Sequence, residues 1–96
     1  MLWMINCVDA PNSAALRAAH RDAHYTHLEA NADHLVVAGP LQNEARTASV
    51  GSLLIVDFPD RDGAVSFAQR DPFNKAGVFA SVTICPFRRT LPIEPT

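Results

Sequence analysis

Apolar positions in this chain form four short runs, and two longer stretches between them carry apolar residues at helical spacing. Leu2 to Val8 is the first run, closed by Asp9-Ala10-Pro11-Asn12, and it reads as a strand followed by a turn. Ala14 to Ala32 contains neither Gly nor Pro and is rich in alanine, which predicts a long helix. Ser13 stands where a hydroxyl can cap its first turn. At 100° per residue, Leu16, Ala19, Ala23 and Ala30 share one stripe, with His20 and His27 inside it and His24 and Leu28 at its border. Leu35 to Ala38 predicts a second strand, stopped by Gly39-Pro40. Val50 to Phe58 predicts a third, apolar on both faces, so both faces should be covered. Asp60 to Arg70 reads as a second helix, ended by Asp71-Pro72-Phe73 because the residue before Pro leaves helical geometry. Asn74 to Gly77 reads as a turn. Val78 to Pro86 follows as a fourth strand, with Val78, Ala80, Val82 and Ile84 on one side and Phe79, Ser81, Thr83 and Cys85 on the other.

Strand, helix, strand, strand, helix, strand is the ferredoxin-like βαββαβ order of an α+β domain. It implies one antiparallel four-stranded sheet with both helices on one face. The uncovered face then needs a partner, and a homodimer is expected. The domain is expected to span residues 1–90, with 91–96 as an extended tail holding two prolines.

Composition narrows the function. Eight basic residues stand against ten acidic ones, and Arg88-Arg89 is the only basic cluster, so no nucleic-acid partner is expected. No apolar run reaches the ~20 residues of a membrane span, so no membrane partner is expected. The first residues lack a basic start and a cleavage site, which points to the cytoplasm. Cys7 and Cys85 lack paired spacing and read as reduced buried thiols.

There is no glycine-rich phosphate loop, GxSxG or HExxH. Histidine stands out instead: His20, His24 and His27 lie within ~60° of helical arc. Three readings fit them. They can be hydrogen-bonded border residues, His20 and His24 can share a metal ion, or His24 can act as a general acid/base. A metal site lacks a third well-placed ligand, so neither metal nor cofactor is expected. Asp71 is the natural companion of His24, because a carboxylate on one imidazole nitrogen fixes the tautomer. Arg21, Gly39, Pro40 and Phe73 are candidates for binding a small-molecule substrate, Phe73 as an apolar wall. Against an enzyme stands a non-catalytic binding or regulatory module using the same cleft.

Several blocks, taken in order, carry a resemblance: Arg21-Asp22-Ala23-His24 with Leu28, Val37-Ala38-Gly39-Pro40-Leu41, Gly51 to Val56, Asp71-Pro72-Phe73-Asn74-Lys75-Ala76-Gly77-Val78-Phe79, and Pro86-Phe87. Together they resemble the YciI-like (YCII-related) family of dimeric α+β barrel proteins, over residues 1 to about 90. The resemblance implies a His/Asp pair at His24 and Asp71. It also implies lyase-type chemistry, since a member acts as a dehydrochlorinase on a chlorinated hydroxyhydroquinone. His27 departs from the family, whose members more often carry an aromatic residue before Leu28, and this implies a different pocket wall.

Overall fold

Alternation along the first strand decides which residues form the core. The computed structural model describes residues 1–93. Strand β1 (Leu2–Asp9) buries Trp3, Ile5 and Cys7 on one side, and helix α1 (Ala14–Ala30) follows. A 3-10 turn over Ala32–His34 leads into β2 (Leu35–Gln42) and β3 (Ser49–Asp57). Then come α2 (Arg61–Arg70), the single turn α3 (Pro72–Lys75) and β4 (Phe79–Phe87). The sheet order is β2-β3-β1-β4, with every neighbouring pair antiparallel. In register, Ile5 lies between Leu54 and Ile84, and Trp3 opposite Val56. These side chains meet Ala64, Phe67 and Ala68 of α2 in the core. Each fully buried apolar side chain there contributes about 1.5–3 kcal/mol.

Local chemistry sets the helix ends. The Asp60 carboxylate accepts from Gly63 N at 2.9 Å and starts α2. Asp71 closes that helix in extended geometry (φ −62°, ψ 124°) before Pro72, then caps α3 by accepting from Phe73 N at 2.9 Å. The stretch expected as a plain turn therefore begins in a helical turn, and Ala76-Gly77 complete it, Gly77 at φ 84°.

Five further expectations need correction. Helix α1 stops at Ala30, and Ser13 makes no side-chain cap bond. The buried side of α1 is not the alanine stripe: Leu16 is 41% exposed, and Ala19, Ala23 and Ala30 are exposed. Arg17 and His24 are buried instead, with His20, His27 and Leu28 half-buried. Alanine offers little area to bury, so polar contacts to the sheet set the helix rotation. Strand β2 runs through Gly39-Pro40 to Gln42, because it is an edge strand and Pro40 need not donate to a further neighbour. Phe79 lies on the helix side, edge-on to Phe73 with centroids 6.0 Å apart. The irregularity between Val8 and Asp9, which sets Asp9 opposite Phe79, shifts the alternation there.

The face away from the helices carries Leu2, Met4, Val8, Val37, Leu41, Leu53, Ile55, Cys85 and Phe87, by the same register. In the single chain Val37 is 56% exposed, Val8 49% and Phe87 44%. Near the end of the described chain, Arg89 Nε donates to the Pro92 carbonyl at 2.9 Å, and residues 94–96 of the expected tail lie outside the described residues. No helix among the described residues is long and apolar enough to cross a membrane.

Candidate active site

The site lies where α1 crosses the sheet beside α3. His24, mid-helix and buried, donates from Nδ1 to Asp71 Oδ1 at 2.7 Å, a charge-assisted geometry. Because that oxygen also accepts from Phe73 N, the carboxylate is held by its own backbone turn. The imidazole stacks on Phe73, with centroids 3.9 Å apart and planes 10° from parallel. Rotation of the ring is thus blocked on one edge and one face. A carboxylate can only accept, so the proton of the neutral ring sits on Nδ1 and the Nε2 lone pair is free. Nε2 has no hydrogen-bond partner among the described residues.

One turn pair earlier on the same helix face, Arg17 is buried under the sheet rim. Nε donates to Asp9 Oδ2 at 3.0 Å, and Nη2 to Asp9 Oδ1, the Gly51 carbonyl and Ser52 Oγ at 3.3, 2.8 and 2.7 Å. The guanidinium also lies 4.8 Å from the Phe73 centroid. Nη1 has no hydrogen-bond partner among the described residues. With its oxygen already accepting, the Ser52 hydroxyl keeps its proton to donate elsewhere. Gly51 is required at this seat, since a Cβ there would collide with the Cys7 carbonyl. Cys7 sits beneath, opposite Ser52 in register. Burial first, and then the Asp71 and Asp9 carboxylates, push its thiol up to about 12, with Arg17 opposing. It is therefore a neutral packing residue at ordinary pH and no nucleophile.

These groups surround a cavity of about 90 Å³. His24, Arg17, Ser52 and Phe73 form its chemical wall, Leu28, Leu54 and Ala38 its apolar wall, and Arg21, Tyr25, Gly39 and Pro40 complete it. Of the candidate catalytic and substrate-binding residues read from sequence, His24, Arg21, Gly39, Pro40 and Phe73 line this cavity, and Asp71 stands behind His24. His20 and His27 do not line it. His27 Nε2 donates to the Phe67 carbonyl at 3.0 Å and its ring stacks on Phe67, so its departure from the family pattern alters helix packing and not the pocket wall. Among the described residues, no three His, Cys, Asp or Glu side chains gather as metal ligands. Sequence reasoning missed Arg17, Asp9 and Ser52. The available signal was spacing, because Arg17 precedes His24 by seven residues and so shares its helix face.

A four-stranded antiparallel sheet under helices, with a small cavity lined by the His24 imidazole and by Arg17 and Arg21, defines a compact α+β domain. Within that class the chain belongs to the YCII-related domain family, whose model matches residues 1–88. Protein YciI of Escherichia coli is 32% identical, and an uncharacterized protein of Haemophilus influenzae 31%. Each alignment spans 93% of this chain and 98% of the relative. Among solved structures, the 5-chloro-2-hydroxyhydroquinone dehydrochlorinase of Burkholderia phenoliruptrix AC1100, in complex with 2,5-dihydroxybenzoquinone, is similar at TM-score 0.88 and 31% identity. That match covers 94% of this chain and 96% of the other.

Proposed function

We propose that this chain is a cofactor-independent enzyme of lyase or isomerase type that moves a proton on a small cyclic or phenolic substrate, in the manner of a dehydrochlorinase. The observation that carries the reading is the 2.7 Å His24–Asp71 contact, which leaves Nε2 as a base on the cavity wall. His24 Nε2 takes a proton from a substrate C–H or O–H, and the bonding pair moves toward a substrate oxygen. Asp71 is the positioning residue: it holds the tautomer and the orientation of the ring.

Negative charge then grows on the oxygen, and Arg17 Nη1 with the Ser52 hydroxyl are the donors suited to meet it. Asp9, Gly51 and Ser52 hold that guanidinium in place beforehand, so little reorganisation is needed when the charge appears. The protonated His24 can return the proton to the anion at a different atom, which is isomerisation. Alternatively it expels a neighbouring chloride, which leaves with the C–Cl pair while the proton stays on His24 until water removes it. The dehydrochlorinase relative supports the second course, and its quinone complex supports a flat oxygenated ring as ligand. Phe73, Pro40, Gly39 and Arg21 would contact such a ring. Residues 1–90 make up the working domain in this reading, with 91–96 as a tail. The bare sheet face is the homodimer interface, supported by its exposed Val8, Val37, Leu41 and Phe87.

The test is incubation with 5-chloro-2-hydroxyhydroquinone and a panel of phenols and enolisable ketones, following chloride release and solvent deuterium uptake. Turnover by the native chain and its loss in His24→Ala support the proposal. Saturable binding without release or exchange across the panel overturns it in favour of a non-catalytic binding module.

A further inference from the structure

Arg17 and Arg21 line not one hollow but two. Outward from the His24 cavity they also wall a cleft of about 310 Å³, closed on its other side by the β2–β3 hairpin through Gln42, Arg46, Thr47 and Ser49. Three arginines therefore face one cleft in a chain whose net charge is −2, and neither Asp nor Glu lines it. Glu44 lines a neighbouring hollow of about 280 Å³, which shares Gln42 and Arg46 with the cleft. The general surface is not basic, so this local concentration of one sign is a directed feature.

The three guanidiniums are uncommitted to different degrees. Arg17 uses Nε and Nη2 internally and leaves Nη1. The Arg21 and Arg46 guanidiniums make neither a hydrogen bond nor an ion pair among the described residues. Arg46 does not hang on a loose loop. Asn43 Oδ1 accepts from Thr47 N at 2.9 Å and from Ala48 N at 3.2 Å, and its Nδ2 donates to Thr47 Oγ1 at 3.0 Å. Arg46 N donates to the Asn43 carbonyl at 3.0 Å, and Arg46 itself is held at φ 58°, a left-handed conformation unfavourable for a residue with a side chain.

We infer that the outer cleft is a subsite for an anionic arm of the substrate: a carboxylate or comparable oxyanion carried by the ring that His24 works on, reaching past Arg21 toward Arg46. The inference rests on the reading of the His24 cavity as a substrate site. Planar guanidiniums suit a carboxylate because they can donate two parallel hydrogen bonds to it. Shared walls make the arrangement economical, since Arg17 faces the reacting oxygen and Arg21 lies between the ring and its arm. The cavity of about 90 Å³ is small for a substituted ring, and the arginine cleft, which shares Arg17 and Arg21 with it, offers room for a substituent.

The test uses hydroquinone and three acids built on it: 2,5-dihydroxybenzoate and its acetate and propanoate homologues. NMR titration follows the His24 ring signals, which report the cavity, and the Arg21 and Arg46 guanidinium signals, which report the cleft. At low ionic strength at least one acid should bind about tenfold or more tightly than hydroquinone, moving both sets of signals. That preference should shrink in about 0.3 M salt. In the Arg21→Gln/Arg46→Gln double variant it should fall to near unity, with the fold checked by circular dichroism. Both residues are exposed, so the variant keeps its core. Hydroquinone binding at His24 with no preference for any acid overturns the subsite and leaves the cavity reading standing. A preference that survives the double substitution also overturns it. Acids that shift the arginine signals but never those of His24 overturn the link between cleft and cavity. If no compound binds, both the inference and the reading beneath it fail.

Discussion

Beneath its helices the sheet covers Arg17, Asp9, His24, Asp71 and Ser52, all polar. On the opposite face, which no helix covers, it leaves Val8, Val37, Leu41 and Phe87 to solvent. Burial of an ion pair is weak evidence for stability, because desolvation of both charges offsets much of their attraction. Exposed apolar area likewise leaves about 25 cal/mol per Å² unrealised in the single chain. The covered face therefore has the character of a prepared site, with Arg17, Asp9 and Asp71 each taking part in two or more hydrogen bonds. The bare face carries the exposed apolar side chains that the proposed dimer would cover.

The largest effect expected from breaking the covered side is catalytic. His24→Ala should lower proton transfer by about 10²–10⁴-fold, read as solvent deuterium uptake by whichever panel compound the native chain turns over. Asp71→Asn, which keeps the shape but not the charge-assisted bond, should fall between the two. Equal rates in all three chains would remove His24 from the chemistry. Next comes Arg17→Met, which leaves the Asp9 carboxylate buried without its partner. It should cost about 3–5 kcal/mol in urea unfolding, and a further Asp9→Asn change should recover part of that loss. A cost below about 1 kcal/mol would show the pair to be solvated.

The bare face should answer differently. Val37→Glu with Phe87→Glu replaces residues already exposed in the single chain, so monomer stability should change within about 0.5 kcal/mol per site. Sedimentation should nevertheless shift from dimer to monomer. A native chain that sediments as a monomer at micromolar concentration would leave the face without this explanation. The smallest effect concerns Cys7. Its thiol ionises near 9.0 when unfolded but only at about 12 when folded, so the folded state holds the extra proton between those values. Stability should therefore fall as pH rises from about 9, and Cys7→Ala should show a shallower fall. Parallel pH slopes for the two chains would contradict the burial of that thiol.

What was legible differs between the two faces. The bare face could be read from alternation alone, since Leu53 and Ile55 are apolar on the side opposite Leu54 and Val56. The covered face could not. Arginine at position 17 looks like a solvent residue in any hydropathy pattern, and the alanine stripe looked like the packing side of α1. Polar contacts reversed that rotation, because the Asp9 carboxylate and the Gly51 carbonyl offer Arg17 more than the sheet offers a methyl group.

By itself the sequence determined the order of elements, the antiparallel arrangement and the end of α2 before Pro72. Period-2 and period-3.6 patterns, proline and caps are local, and local rules suffice for them. Only the tertiary structure decided that Asp71 meets His24 across 47 positions of chain, that Arg17 turns inward, and that Phe79 crosses to the helix side. Those outcomes depend on helix rotation, on one irregularity in the β1–β4 register and on the angle at which α3 leaves α2. Spacing along the chain encodes none of the three, because each is set by which long-range contacts form together.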